Sequence, residues 1–296
     1  MIPRQPLIVP FTKMNGAGND FVVLDNRFLR FTVDELADLA RRVCPRRTGV
    51  GADGLLALDP PDGDPDDGDD ADGGTDFRMR YRNADGSLGT MCGNGARCLA
   101  RFGARAGLGR PADDHEQEGA TLLRFETDGG RYSARVDGET VTLDVPPPRG
   151  FGASGAASAL GEVHTIWTGT EHAVVFVDDV DAAPVREEGT RLRHDPAFAP
   201  TGTNVDFVEV ADEAGRVRVR TFEKGVEAET LACGTGAVAS ALVARMAGGV
   251  DADEIAVEMP GGTLGVRFSL RGGEVRDLQL SGPAETVYEG TLEWWG

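Results

Sequence analysis

The sequence predicts an α/β fold made of two similar domains, and three observations carry that expectation. Of its 296 residues, 40% are hydrophobic and only 6% aromatic, which suits one or two globular α/β domains with a sizeable core. Runs of alternating apolar and polar residues recur along the chain, interrupted by a few segments with helical spacing. Finally, FRMRYRNADGSLGTMCGNG (77–95) is answered by VRVRTFEKGVEAETLACGTG (217–236), each ending in Cys-Gly-X-Gly ahead of a helical pattern. Duplication of a unit of roughly 140 residues explains the match.

The elements follow in order. Strands are expected at Phe21–Asp25, Phe77–Arg82, Thr121–Thr127, Arg131–Val136 and Val141–Val145 in the first half. In the second half they are expected at His172–Val180, Asn204–Val210, Val217–Glu223, Glu254–Pro260, Thr263–Leu270 and Glu274–Gly282. Val33–Val43 carries apolar residues at helical spacing behind Thr32, an N-cap residue type, and two more helices follow Cys92 and Cys233. The expected domains are residues 1–138 with 284–296, carrying Cys92, and residues 139–283, carrying Cys233. The strand pattern is interrupted by the run 59–76, with nine Asp in eighteen residues. Such a run repels itself and reads as a solvated loop. A calcium loop is the sharper alternative, but the spacing that ends in Glu at position 12 is missing.

The net charge of −19, from 49 acidic and 30 basic residues, argues against nucleic acid bound through a cationic face. Of the basic residues 28 are Arg and two are Lys, Lys13 and Lys224; a salt-adapted surface and a GC-rich codon bias both produce that balance. No apolar stretch approaches the roughly 20 residues that span a bilayer, and MIPRQPLIVPF lacks the form of a secretory leader. A cytoplasmic protein with no membrane partner is the expectation. Four cysteines (Cys44, Cys92, Cys98, Cys233) offer neither a disulfide framework nor CxxC metal spacing, so reduced thiols and no metal site are expected.

Cysteine at a helix N-terminus stands where unsatisfied backbone N–H groups and the helix dipole favour thiolate. Two such cysteines in matched loops suggest two thiols that serve one ligand. Held on opposite faces of a carbon bearing hydrogen, amine and carboxylate, one thiolate removes the proton and the other thiol returns one, giving inversion. A thiol pKa of about 8.5 leaves both forms accessible near neutrality. Gly93, Gly95, Gly234 and Gly236 lack Cβ atoms and let a ligand carboxylate approach the free N–H groups. Against this, a free Cys is more often a small buried hydrophobe. GTGAVA (234–239) also satisfies a dinucleotide fingerprint, so a thiol-redox protein or a nucleotide-dependent oxidoreductase is the reading from a different class; the twin loop, GNGARC, breaks that fingerprint at Cys98.

Taken together, KMNGAGNDFVVLD (13–25), GVGADGLL (49–56), RNADGSLGTMCGNGARC (82–98), TNVDFV (203–208), FEKGVEAETLACGTGA (222–237) and MPGGTLGV (259–266) make the chain similar to the diaminopimelate epimerase family over nearly its whole length. The resemblance implies two pseudo-symmetric domains, each a barrel-like, mostly antiparallel sheet wrapped around a central helix, with the active site in the cleft between them. It implies cofactor-independent epimerisation of LL-2,6-diaminopimelate to meso-diaminopimelate in lysine biosynthesis, with a small-molecule amino-acid substrate and a homodimeric enzyme. Cys92 and Cys233 would be the acid/base pair. Backbone N–H groups of Gly93, Asn94, Gly234 and Thr235 would hold the carboxylate at the reacting carbon. Asn19, Asn83 and Asn204 would fix other polar groups of the substrate, Glu223 would serve the ammonium, and His172 with Glu223 would bias the thiol pKa values. The chain departs from the family pattern at Thr170, which replaces a substrate-binding amide, at Lys224, which replaces Arg, at a one-residue insertion before Glu229, and at Gly54. Lys keeps the charge of Arg without its bidentate grip, so a racemase or epimerase of another amino acid is the same-fold alternative.

Overall fold

The computed structural model describes residues 5–61, 74–112, 119–211 and 215–295. Most of the acidic run 59–76, and with it the calcium-loop alternative, lies outside the described residues. The chain folds into two compact units, Met1–Leu143 with Pro283–Gly296, and Asp144–Gly282.

The first unit runs β1 (Leu7–Gly16), β2 (Asn19–Asp25), α1 (Asn26–Leu29), α2 (Val33–Val43), β3 (Gly54–Asp59), β4 (Phe77–Asn83), β5 (Leu88–Gly89), α3 (Gly93–Arg105), β6 (Arg110–Pro111), β7 (Thr121–Thr127), β8 (Gly130–Asp137) and β9 (Thr140–Asp144). Helix α2 starts where the sequence places it. Thr32 accepts from the Glu35 N–H while the Glu35 carboxylate accepts from the Thr32 N–H, a reciprocal cap that satisfies two donors of the first turn. Its Leu36, Leu39, Ala40 and Val43 pack with Val22, Leu24, Leu55 and Ala57. β1 and β2 pair antiparallel, β2 and β3 parallel across α2, β3 and β4 antiparallel, and β4 and β7 parallel across α3. β7, β8 and β9 then form an antiparallel meander.

The second unit repeats this succession. It runs β10 (Arg149–Ala153), β11 (Val163–Trp167), β12 (Glu171–Phe176), α4 (Val185–Arg193), a single 3-10 turn at Pro196–Phe198, β13 (Asn204–Val210), β14 (Arg216–Glu223), β15 (Ala228–Thr230), α5 (Gly234–Met246), β16 (Glu254–Met259), β17 (Gly262–Arg271) and β18 (Glu274–Pro283). β11 and β12 pair antiparallel, β12 and β13 parallel across α4, β13 and β14 antiparallel, and β14 and β16 parallel across α5. β16, β17 and β18 close the series as a meander. The last strand, β19 (Glu285–Trp294), belongs to the first unit, where it pairs with β1.

In each unit the helix after the cysteine is central. α3 packs on β1, β2, β3, β4, β7 and β8, and α5 on β11, β12, β13, β14, β16 and β17. α5 is buried from Gly236 to Ala244, a stretch apolar on every face but for Ser240. Each unit is thus a mostly antiparallel sheet wrapped on one helix.

Several elements go beyond the sequence expectation, for physical reasons. Pro10 lies within β1, where it faces Thr291 of β19, and β2 joins only from Thr12 onward, so its missing N–H leaves no gap in the second ladder. β3 is a continuous buried run without alternation, the form that periodicity cannot separate from a helix. α4 hides behind Gly189, yet a Cβ there would stand 2.6 Å from Phe222 Cβ, so close packing on β14 demands the glycine. β12 stops at Phe176 rather than Val180, and beyond it Asp179 Oδ1 accepts from the Asp181 and Ala182 N–H groups where the chain turns.

The parallel pairings fix where functional groups gather. The starts of β2 and β3, the end of β4 and the N-terminus of α3 share one edge, since Phe21 faces Gly54 and Gly54 faces Asn83. In the second unit His172 faces Asn204, and Val205 faces Phe222, so the same edge collects the N-terminus of α5. Because α5 carries that edge, Leu242→Ala, at a fully buried position, is expected to cost about 3 kcal/mol. A urea unfolding midpoint measures it.

Candidate active site

In the first unit Cys92 occupies the N-cap of α3 in extended conformation, φ −141° and ψ 118°, and its side chain makes no capping bond. The first N–H groups of the helix therefore keep no intrahelical partner. Cys92 is half-buried, and its Sγ lies 3.5 Å from Asn19 Oδ1. The same oxygen accepts from Asn94 Nδ2 at 3.5 Å, and Asn94 Oδ1 accepts from Arg97 Nη2 at 2.9 Å. Arg97 is fully buried. Cys98, one residue on, is pushed up to about 12 by burial, as is Cys44; both are neutral thiols within the core.

Asn19 is held from behind. Its Nδ2 donates to Asp53 Oδ2 at 2.6 Å, Arg46 bridges Asp53 and Asp20, and the buried Lys13 ammonium reaches Asp20 at 2.6 Å and the Gly51 carbonyl. Burial works to raise the Asp20 carboxyl, but Arg46 and Lys13 overcome it and hold it at about 2. Asn83, at the end of β4, donates to Ser87 Oγ at 3.0 Å.

In the second unit Cys233 caps α5 with φ −122° and ψ 110°, and its Sγ accepts from the Gly236 N–H at 3.3 Å. It is 7% exposed, and its thiol is raised well above the usual range, first by burial and then by the Glu223 and Asp206 carboxylates. Thr235 Oγ1 stands 3.4 Å from the sulfur and 3.0 Å from His172 Nε2. His172 Nδ1 lies 2.7 Å from Asp206 Oδ2, both side chains being sealed from solvent. Thr221 Oγ1 donates to Asp206 Oδ1 at 2.7 Å. Asn204 Nδ2 lies 3.4 Å from His172 Nε2, and Asn204 Oδ1 accepts from the Lys224 N–H at 2.9 Å. The Glu223 carboxyl is raised by burial, against hydrogen bonds with Thr230 and Cys233.

The sequence-derived residues thus fall into two sets. Cys92, Gly93, Asn94 and Asn19 meet at the head of α3. Cys233, Gly234, Thr235, His172, Asn204 and Glu223 meet at the head of α5. Lys224 reaches the second set through its backbone, while its ammonium pairs with Glu171, which also accepts from Thr170 Oγ1 at 3.2 Å. Sequence reasoning passed over Asp206, Thr221, Thr230, Glu171 and Arg97. Asp206 left a signal: an acid between Val205 and Phe207 in a buried strand demands a partner.

The Asp20 cluster has a pH signature. A carboxyl held at about 2 when folded, against 3.8 ordinarily, contributes stability that is present above about pH 4 and lost as pH falls toward 2. Asp20→Asn is expected to lower the melting temperature at pH 7, and the difference from wild type should shrink between pH 4 and 2.

A family model described as Diaminopimelate epimerase matches residues 11–145 and 164–287. The curated diaminopimelate epimerase of Chlorobaculum tepidum is 42% identical over 283 residues, 94% of this chain and 99% of that one. That of Methanocella arvoryzae is 40% identical over 298 residues, 96% of this chain and 97% of its own. Among solved structures, the PhzF-family phenazine biosynthesis protein of Bacillus anthracis has a TM-score of 0.72 at 15% identity, covering 97% of this chain and 99% of that chain. A hydroxyproline epimerase of Agrobacterium vitis has a TM-score of 0.62 at 17% identity, covering 99% and 93%. At such identities the structural likeness speaks for the fold alone. With the family model spanning most of its length and curated relatives at 40% identity and above, the chain belongs to the diaminopimelate epimerase family.

Proposed function

We propose that this chain is an isomerase that interconverts LL- and meso-2,6-diaminopimelate, a step of lysine biosynthesis, by proton transfer between two thiols without a cofactor. The observation that carries the proposal is the matched pair of N-cap cysteines at the heads of two buried helices, in a chain of this family. One sulfur, as thiolate, takes the α-proton: the C–H bond breaks and an S–H bond forms. The electron pair left on carbon spreads into the α-carboxylate. The second thiol then gives its proton to the opposite face, so the chemistry needs both sulfurs to bracket one carbon.

Backbone N–H groups of Gly93, Asn94, Gly234 and Thr235 hold the carboxylate on which charge builds, the preorganised stabilisation that dominates such reactions. Glu223, raised by burial, becomes a carboxylate partner when a substrate ammonium arrives beside it. Asn19, Asn83 and Asn204 each offer donors and an acceptor. Lys224 takes the distal carboxylate, and for this it must release Glu171. That competition favours a substrate that carries a second carboxylate over a monocarboxylic amino acid.

Cys92→Ala and Cys233→Ala are each expected to lower the rate of LL-to-meso conversion at least about a hundredfold, read by chiral chromatography. Activity retained in either variant would remove the two-thiol mechanism. Lys224→Ala is expected to raise KM for diaminopimelate about tenfold with a smaller change in kcat, the size of one charge-assisted contact. The same reading carries a cytoplasmic homodimer, and sedimentation of the purified enzyme measures its oligomeric state directly.

A further inference from the structure

A chain of hydrogen-bonded side chains leads back from Cys233. Asn204 Oδ1 accepts from the Lys224 N–H, which fixes the amide so that its Nδ2 faces His172 Nε2. A donor at that position requires the Nε2 lone pair, and so the network assigns His172 the tautomer with its proton on Nδ1, pointing at Asp206 Oδ2 2.7 Å away. His172 Nε2 then accepts from Thr235 Oγ1–H at 3.0 Å, and Thr235 Oγ1, 3.4 Å from the sulfur, is placed to accept from the Cys233 thiol, beside the Glu223 carboxyl that also bonds that thiol. Asp206 is itself fixed. Thr221 donates to its other oxygen at 2.7 Å, and Gly236 lies so near that a Cβ would come within 2.6 Å of Oδ1.

We infer that Cys233, Thr235, His172 and Asp206 form a proton relay, in which the Thr235 hydroxyl carries the thiol proton to His172 and Asp206 is the positioning residue that holds the imidazole and stabilises its charged form. The step balances with one proton and no electron transfer. The Cys233 S–H bond breaks as a proton passes to Thr235 Oγ1, whose own proton passes to His172 Nε2. The product is a Cys233 thiolate and an imidazolium facing the Asp206 carboxylate. The reverse movement reloads the sulfur when Cys233 acts as the acid. The arrangement shares its logic with a nucleophile, base and orienting acid, with a hydroxyl inserted between sulfur and imidazole. The inference rests on the two-thiol reading for its purpose, since a thiol that serves as base in one direction and acid in the other needs a place to park its proton.

The sign of one measurement separates a relay from a fixed charge. The titratable groups that face Cys233 are Glu223 and Asp206, both anionic influences, and His172; beyond them Glu171 and Lys224 neutralise each other. If Asp206 acted only through its field, removing its charge would ease ionisation of the nearby thiol, because it raises that thiol. If it stabilises the imidazolium that receives the proton, the same change hinders ionisation.

The test is the pH dependence of iodoacetamide alkylation at Cys233 in the full-length protein, followed by mass spectrometry of the tryptic peptide 225–245. For Asp206→Asn the alkylation midpoint is expected to rise by about one pH unit, and for Thr235→Val to rise as well, with Thr235→Ser close to wild type. A fall in Asp206→Asn, or an unchanged midpoint in Thr235→Val, overturns the relay. If Asp206→Asn does not fold, the Thr235→Val and Thr235→Ser pair decides alone. Wild-type turnover of LL-diaminopimelate is measured in parallel. Its absence would overturn the proposed reaction, whereas turnover with the wrong alkylation shifts would overturn only the relay.

Discussion

The first turn of a buried helix is the constraint on which the rest of this protein depends. An α-helix begins with N–H groups that no residue of its own can satisfy, and here two such ends are kept free of side-chain capping oxygens by a cysteine at each N-cap. Burying the rest of α5 from Gly236 to Ala244 fixes its axis, and the sheet around it fixes its N-terminus beside the strand ends. Parallel pairing across α2 and α4, then across α3 and α5, brings two strand starts, one strand end and one helix N-terminus to a common edge in each unit. The fold thus collects polar groups around two helix N-termini.

The repeated succession of strands does not make the two helix heads chemically alike. Behind Cys92 stand two amides and a fully buried guanidinium, Arg97, whose Nη2 holds Asn94. The corresponding position in α5 is Val238, and behind Cys233 stand Glu223, Asp206 and His172. One thiol faces a buried cation and the other faces carboxylates. A reaction that needs one particular sulfur ionised and the other protonated gains from that inequality, since identical surroundings would leave the two mixed states equally populated.

The duplicated architecture was legible because a helix-mouth cysteine with Gly-X-Gly is a short local pattern that occurs twice, and α2 was legible because Thr32, an N-cap residue type, precedes apolar residues at helical spacing. The alternating strands of the two meanders were legible for the same local reason. What escaped was set by long-range packing. β3 reads as an undirected apolar run until β2 and β4 flank it, α4 carries a glycine that only Phe222 explains, and β19 matters because it returns to pair with β1. At the site, residues inside motifs were found, while their supports were not. Asp206, Thr221 and Arg97 act through neighbours distant in sequence, and no spacing rule connects them. Lys13 stood out by rarity alone, and the structure gives it a use, a buried cation that holds Asp20 and, through Arg46 and Asp53, the orientation of Asn19.

The central claim is that two different sulfurs handle the proton on the two faces of one carbon. Its most direct test is deuterium incorporation during the first few per cent of turnover, with LL-diaminopimelate in deuterated water under reducing conditions. Two thiols predict α-deuterium in the meso product while recovered LL-diaminopimelate stays unlabelled, because the sulfur that takes the substrate proton is not the one that delivers the solvent-derived deuteron. Label appearing equally in recovered substrate and product, or inversion without label, would contradict it.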